Sequence, residues 1–246
     1  MDASGSENAN RAYYDAFSKG YEMNRGENDP GGYHDLLDTL EADLVRRYGA
    51  GRHVLEVGCG TGLVLERIAA FAQTAKGIDL SPGMLAKARA RNLDVCEGSA
   101  TALPFPDDTF DVTCSFKVLA HVPDIEAALS EMARVTRPGG HVIAEFYNPF
   151  SIRGLLKRFG SPQRVADAAA ESDVFTRFDS PRRARELTPA GCRFVDARGV
   201  RITIPTAGAL AGKRRRTLFR SLEWVLCDSP LKSLAGFYVA VYEKLP

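Results

Sequence analysis

Glu56-Val57-Gly58-Cys59-Gly60-Thr61-Gly62, entered from His53-Val54-Leu55 and followed at once by Leu63 to Phe71, is the stretch that decides how this chain of 246 residues folds. His53 to Val57 is short, apolar and rich in β-branched residues, which suits a buried strand. Leu63 to Phe71 has helical spacing. Between them lie three glycines at alternate positions, a tight strand-to-helix turn whose backbone can take positive φ and approach a ligand with no side chain in the way. The helix that follows directs its free N–H groups and positive dipole end at that turn, a setting that favours a carboxylate or phosphate. A dinucleotide fingerprint requires Gly-x-Gly-x-x-Gly. The position it needs is Leu63, so that reading is disfavoured.

Working outward, strand and helix signals alternate. Tyr33 to Tyr48 carries Leu36, Leu37, Leu40, Leu44 and Val45 at helical spacing and ends at Gly49-Ala50-Gly51. Ala75 to Leu80 reads as a second strand, followed by Ser81 as N-cap, Pro82 at the first helical position and a helix over Met84 to Arg91. Leu93 to Glu97 and Phe110 to Phe116 read as strands three and four, and Ile125 to Val135 as a helix. Pro138-Gly139-Gly140 reads as a turn before a fifth strand, His141 to Phe146. Strict alternation implies parallel pairing through right-handed crossovers and a sheet covered on both faces, an α/β doubly wound fold. After Asn148-Pro149 the alternation stops. Residues 148–179 read as a helical insertion with helices at Ser151 to Phe159 and Pro162 to Ala170. Beyond it come a helix from Ser180-Pro181 to Gly191, a strand Arg193 to Ile204, a helix Leu210 to Leu226 and a last strand Gly236 to Glu243. Residues 1–246 are expected to form a single domain.

Composition is that of a globular protein, 45% hydrophobic and 26% charged. No run approaches the roughly 20 apolar residues needed to span a bilayer, and the polar, acidic start Met1-Asp2-Ala3-Ser4-Gly5-Ser6-Glu7-Asn8 is no secretory signal. Cys59, Cys96, Cys114, Cys192 and Cys227 form no C-x-x-C pair, and His34, His53, His121 and His141 lack metal-ligand spacing. A cytoplasmic protein without a metal site is the expectation. Net charge is +1 but unevenly spread: residues 1–147 carry 14 Lys/Arg against 22 Asp/Glu, and residues 148–220 carry 16 against 6. Lys213-Arg214-Arg215-Arg216 belongs to that basic stretch. It can be read as a patch for nucleic acid or an anionic membrane, although four such residues are more often the wet side of a helix.

Two carboxylates stand where an apolar strand has no other use for them. Glu56 ends the first strand, placed to anchor an ammonium group and the loop's own amides. Asp79 ends the second, 21 residues past Gly58, where a carboxylate can accept two vicinal ribose hydroxyls. Leu80 and Met84 follow, apolar enough to lie against an adenine. These features recur with Leu103-Pro104-Phe105-Pro106-Asp107-Asp108-Thr109-Phe110-Asp111 and Arg137-Pro138-Gly139-Gly140. Together they resemble the class I S-adenosylmethionine-dependent methyltransferases, and within them the small-molecule group that includes ubiquinone and menaquinone methyltransferases.

The resemblance spans about Tyr13 to Phe146. It implies a Rossmann-like sheet of seven strands, mostly parallel with the last antiparallel, and S-adenosyl-L-methionine as co-substrate. It further implies that Glu56, Gly58 and Gly60 hold the methionine end, Asp79 the ribose, and Leu80 and Met84 the adenine. Ser99 and Ala100 then neighbour the base, with Ser99 standing where the family often has an acid, and Phe116 lies beside the cofactor. Residues 1–35, with Tyr14, Tyr21 and Arg25, correspond to a segment that folds over the cofactor as a lid. His121, after the fourth strand, stands where an imidazole serves either as general base or as packing beneath the cofactor. Lys117 is expected to be either solvated or at the edge of the cofactor.

Tyr147-Asn148-Pro149-Phe150 looks like the Asn-Pro-Pro-Tyr box of amino-methylating enzymes but follows the fifth strand instead of the fourth, and is rejected. The acceptor is expected to be a small hydrophobic or aromatic metabolite, methylated on oxygen or carbon and covered by the insertion, with no nucleic-acid partner. Two other readings compete: a methyltransferase for RNA or protein docked on the basic half, and a non-catalytic S-adenosylmethionine-binding protein.

Overall fold

The computed structural model describes residues 11–16, 18, 20–24, 29, 31–151, 175–204 and 206–246. A helical turn α1 (Tyr21–Asn24) and helix α2 (Tyr33–Gly49) precede β1 (His53–Val57). Then come α3 (Leu63–Ala69), β2 (Thr74–Asp79), α4 (Pro82–Ala90), β3 (Asp94–Glu97), β4 (Phe110–Ser115), α5 (Ile125–Val135) and β5 (Thr136–Tyr147). The C-terminal part holds α6 (Pro181–Glu186), β6 (Cys192–Val200), α7 (Lys213–Leu226) and β7 (Phe237–Lys244).

The strands form one seven-stranded sheet in the order β3-β2-β1-β4-β5-β7-β6. β1 to β5 pair in parallel, whereas β7 runs antiparallel to both β5 and β6. This is the doubly wound α/β architecture expected from the alternation, with the reversal at the last strand. The order turns round between β1 and β4, and in such sheets the crevice outside the carboxyl ends of the strands at that point is where ligands bind. Two apolar clusters cover the two faces. Leu55, Val57, Ile78, Leu129, Phe146 and Tyr242 belong to one, and Leu36, Leu40, Leu44, Val54, Ile143 and Val241 to the other. Adjacent strand residues such as Val54 and Leu55 thus serve opposite faces, which explains why β1 presents apolar residues to both.

Several element ends differ from the sequence expectation. Pro138-Gly139-Gly140 is no separate turn: β5 is continuous from Thr136, and its pairing with β4 slips between Phe110 and Val112 to absorb the extra residues as a bulge. β6 stops at Val200 because Arg201 takes a left-handed φ of 66°. The expected helix from Leu210 divides at Gly212, φ 85°, into a 3₁₀ turn Ala207–Leu210 and α7. α6 ends at Glu186, short of the expected Gly191, with Pro189 just beyond. The two helices expected within the insertion lie almost wholly outside the described residues. Among the described residues no helix is long and apolar enough to cross a membrane, and no group of three or more His, Cys, Asp or Glu is arranged to hold a metal ion.

Candidate active site

The glycine loop leaves β1 between β2 and β4, and its geometry is set by its neighbour strand. Gly58 and Cys59 donate their N–H groups to the Ile78 carbonyl at 2.7 and 3.0 Å, and Gly60 donates to Asp79 Oδ2 at 2.8 Å. Gly58, Gly60 and Gly62 have φ of 75°, 54° and 85°. A Cβ on Gly58 would lie 2.3 Å from a Val118 methyl, and one on Gly62 2.4 Å from Leu93. At Gly60 such an atom would meet nothing within 4 Å. The first and third glycines therefore serve packing, and the second keeps a free approach open.

Glu56 departs from one expectation. The loop amides are taken by Ile78 and Asp79, not by Glu56. Its carboxylate is instead buried, with Oε2 lacking a hydrogen-bond partner. Burial, then the charge of Glu41, hold the Glu56 carboxyl well above the usual carboxylate range. Such an oxygen is costly unless a donor or cation meets it. Asp79 is half-buried and doubly bonded, Oδ1 accepting from Ser81 N at 2.9 Å and Oδ2 from Gly60. Its burial raises its pKa, with the Ser81 and Gly60 amides pulling the other way.

Around these carboxylates opens a cleft lined by apolar, aromatic and a few charged side chains. Of the residues singled out from the sequence, Tyr14, Tyr21, Glu56, Gly58, Gly60, Asp79, Leu80, Met84, Ala100, Phe116 and His121 line it. Ser99 does not. Its hydroxyl is drawn into a local turn, accepting from Thr101 N at 3.1 Å and bonded to Thr101 Oγ1 at 2.8 Å, while Gly98 and Ala100 face the cleft. Arg25 lies outside the described residues.

Lys117 lines the cleft too, but is not simply solvated. With φ of 60°, it turns its ammonium to Asp38 Oδ1 at 3.0 Å and Glu41 Oε2 at 2.7 Å on α2, while its N–H donates to Glu145 Oε1 on β5 at 3.1 Å. Asp38, Glu41, Glu56 and Glu145 are all buried. Arg67 pairs with Asp35 at 2.9 Å and comes within 4.0 Å of Asp38. Burial and the adjoining Glu41 carboxyl push Glu145 well above the ordinary range. Among the described residues, Lys117 thus gathers Asp38, Glu41 and Glu145 beside Glu56 at one end of the cleft, a grouping spread over residues 38–145 that no local motif announces.

At the opposite wall His121 follows β4 in a 3₁₀ turn, Leu119–His121. Its Nδ1 lies 3.0 Å from the Phe175 carbonyl. A carbonyl only accepts, so Nδ1 carries the proton and Nε2 is the basic nitrogen. Tyr14 and Tyr147 stand edge-on to the imidazole, with centroids 6.3 and 5.8 Å away, and Phe178 packs on Tyr147 at 6.2 Å. Burial raises the Tyr14 and Tyr147 hydroxyls well above their usual value, so both stay neutral donors.

The N-terminal segment contributes a residue that sequence reasoning missed. Asp15 Oδ1 accepts from Ser81 Oγ at 2.6 Å and from Gly83 N at 2.8 Å, at the positive end of α4. Arg91 on α4's far side pairs with Glu22 at 2.9 Å, and Arg11 with Glu97 at 2.5 Å. Nothing local in Tyr13-Tyr14-Asp15 signals contacts nearly 70 positions away.

Comparison with known proteins gives the fold its lineage. A family model described as a methyltransferase domain matches residues 55–144, from β1 to β5. Over those residues the chain is similar to that methyltransferase domain family. Demethylmenaquinone methyltransferase of Mycobacterium marinum is 47% identical over 107 residues, 43% of this chain and 46% of the relative. Its counterpart in Mycobacterium tuberculosis is 45% identical over 105 residues, 42% of this chain and 44% of the relative. The match therefore spans less than half the length of these relatives. A Thermotoga maritima methyltransferase described as a possible histamine N-methyltransferase superposes with a TM-score of 0.66, at 20% identity over 95% of this chain and 99% of that one. The CcbJ methyltransferase of Streptomyces caelestis gives 0.63, at 18% identity over 95% and 98%. At those identities the two structures speak for the methyltransferase fold alone.

Proposed function

We propose that the chain transfers the methyl group of S-adenosylmethionine to carbon or oxygen of a small aromatic acceptor with a hydrophobic body, a quinone-like ring being the class that fits best. The observation that carries the reading is the pairing, in one cleft, of an orphaned buried Glu56 oxygen with an aromatic-lined imidazole at the other wall. The name of the curated relatives, demethylmenaquinone methyltransferase, supports the acceptor class.

The residues present fit the donor. Glu56 Oε2 offers an acceptor to the ammonium group, Gly60 leaves the backbone open beside it, and Asp79 offers its remaining lone pairs to vicinal hydroxyls. Leu80, Met84 and Ala100 supply apolar surface for a base, and Tyr21 and Phe116 close over the middle. When bound, S-adenosylmethionine supplies a methyl group already activated by its sulfonium. The protein has to align the acceptor in line with that methyl and exclude water. The bond formed joins the methyl to the acceptor, the carbon–sulfur bond breaks with its electron pair going to sulfur, and the acceptor's proton passes to His121 Nε2. Tyr14 and Tyr147 stand edge-on to that imidazole, with Phe178 packed on Tyr147, ring surface that suits a flat apolar acceptor.

Two measurements test the reading. S-adenosylmethionine or its demethylated product must raise the melting temperature by mass action on the folded state. Labelled methyl must then pass from the donor into a lipid-soluble component of a metabolite extract, identified by mass. No shift at millimolar ligand overturns the donor assignment, and label appearing only in RNA or protein overturns the acceptor class.

A further inference from the structure

Helix α7 sets charge beside Phe219 on its inward side, where Phe219 packs against the core. Glu223 is buried and accepts from Ile202 N at 3.0 Å, Thr203 N at 2.5 Å and Thr203 Oγ1 at 2.7 Å. Arg216 pairs with Asp29 at 2.7 Å and Arg220 with Asp35 at 3.2 Å. Its outward side carries an apolar stripe among polar residues. Arg214, Leu218, Leu222 and Val225 recur at steps of four, four and three residues, one stripe at 100° per residue. Leu218 is 56% exposed, Val225 73% and, next to the stripe, Trp224 38%. An ordinary surface helix has the opposite arrangement, and an exposed apolar stripe on a folded chain marks a contact surface.

At the head of the stripe Lys213, Arg214 and Arg215 are exposed and make no ion pair among the described residues. Their place in the fold is fixed. α2 runs antiparallel to β1 through the short link 50–52, so its first turn, with Asp35, lies at the carboxyl edge of the sheet, where the cleft opens. Arg220 bonds that same Asp35, which brings the basic head of α7 to the same edge.

We propose that α7 is a lipid-docking helix that lays this stripe on an anionic bilayer surface, with the cleft mouth turned toward the membrane. Cations at the head meet lipid phosphates, and Leu218, Leu222, Trp224 and Val225 enter the headgroup boundary, the division of labour of an interfacial amphipathic helix. A second copy of the chain is a poorer occupant, since a two-fold contact along this helix sets six unpaired cations into one interface. Nucleic acid would answer the three cations but leave Leu218, Leu222 and Val225 without a role. The inference does not depend on which acceptor is methylated.

The test is sedimentation of the full chain with phosphatidylcholine vesicles, alone or mixed about three to one with phosphatidylglycerol, at low and physiological salt. Binding to the mixed vesicles and not to pure phosphatidylcholine is expected, with each cation of Lys213→Ala, Arg214→Ala and Arg215→Ala worth about fivefold in partitioning. The double change Leu218→Ser with Val225→Ser, exposed and so neutral to folding, is expected to weaken partitioning at least tenfold with the melting temperature kept. Three results each overturn the proposal: no binding to mixed vesicles; binding that needs the cations but ignores Leu218 and Val225; or a single-stranded RNA oligomer displacing the chain from vesicles at equal charge concentration. A concentration-dependent dimer abolished by the double change also overturns it.

Discussion

Replacing the loop glycines one at a time separates fold from ligand. In Gly58→Ala the new Cβ falls 2.3, 2.7 and 2.9 Å from Val118 Cγ2, Cγ1 and Cβ. Rotating the valine clears its methyls but not its Cβ, and a β-branched side chain has little freedom to rotate. The left-handed backbone costs about 1–2 kcal/mol for a residue with a Cβ, and overpacking of this kind a further ~1–3 kcal/mol. At roughly 2–4 °C per kcal/mol for a domain of this size, the apo melting temperature is expected to fall by about 5–20 °C. Gly60→Ala carries the backbone cost alone, because its Cβ meets nothing within 4 Å. A loss of only ~2–8 °C is expected there. Yet its Cβ stands where the donor must approach, so the ligand-induced rise in melting temperature disappears. Thermal melts with and without S-adenosylmethionine read both effects. A Gly58→Ala chain as stable as the parent, or a Gly60→Ala chain that still responds fully to ligand, refutes the division of labour between these glycines.

Three further outcomes follow from other parts of the molecule. In the proposed complex, donor binding places positive charge beside Glu56 and the Asp38, Glu41 and Glu145 carboxyls, where burial, then the charge of Glu41, leave Glu56 and Glu145 with raised pKa values. Binding should therefore release protons, and affinity should climb with pH by up to about tenfold per unit; calorimetry in two buffers of different ionisation enthalpy sees no proton exchange if this is wrong. His121→Ala is expected to lower turnover about 100-fold or more while leaving donor affinity within about twofold; loss of donor binding instead makes the imidazole a packing group. Asp228, held by Arg198 and Arg47, has its pKa lowered to about 2. A depressed acid contributes stability above its unfolded pKa and loses it as pH falls through the folded one. Its contribution should vanish between about pH 4 and pH 2, and only modestly because solvent reaches the side chain. Urea titrations of Asp228→Asn and the parent should converge across that window.

The order of strands and helices was legible because each signal is local. Gly-x-Gly-x-Gly, Ser81-Pro82 and the periodicity of Ile125 to Val135 need only a few neighbours to act. That Glu56, Gly60, Asp79 and Met84 share one cleft was legible for the same reason, since they sit at or just beyond strand ends, and parallel topology gathers strand ends at one edge. Ser99 misled because a hydroxyl two residues from Thr101 can satisfy itself locally instead of facing a ligand.

What only the tertiary structure decided rests on contacts between residues far apart in the chain. Asp15 finds α4 across 66 positions, and Lys117 draws acids from α2 and β5 into one buried group. Both follow from how layers close over the sheet, and neither alters any local pattern. Lys213-Arg214-Arg215-Arg216 shows the same limit from the other side. By itself it reads as a wet helix face. The fold then spends Arg216 on Asp29 and turns Leu218, Leu222 and Val225 outward, because Glu223 and Arg220 hold the opposite side of α7 to the body. Sequence set which residues share a face of that helix; packing alone decided which face meets the solvent.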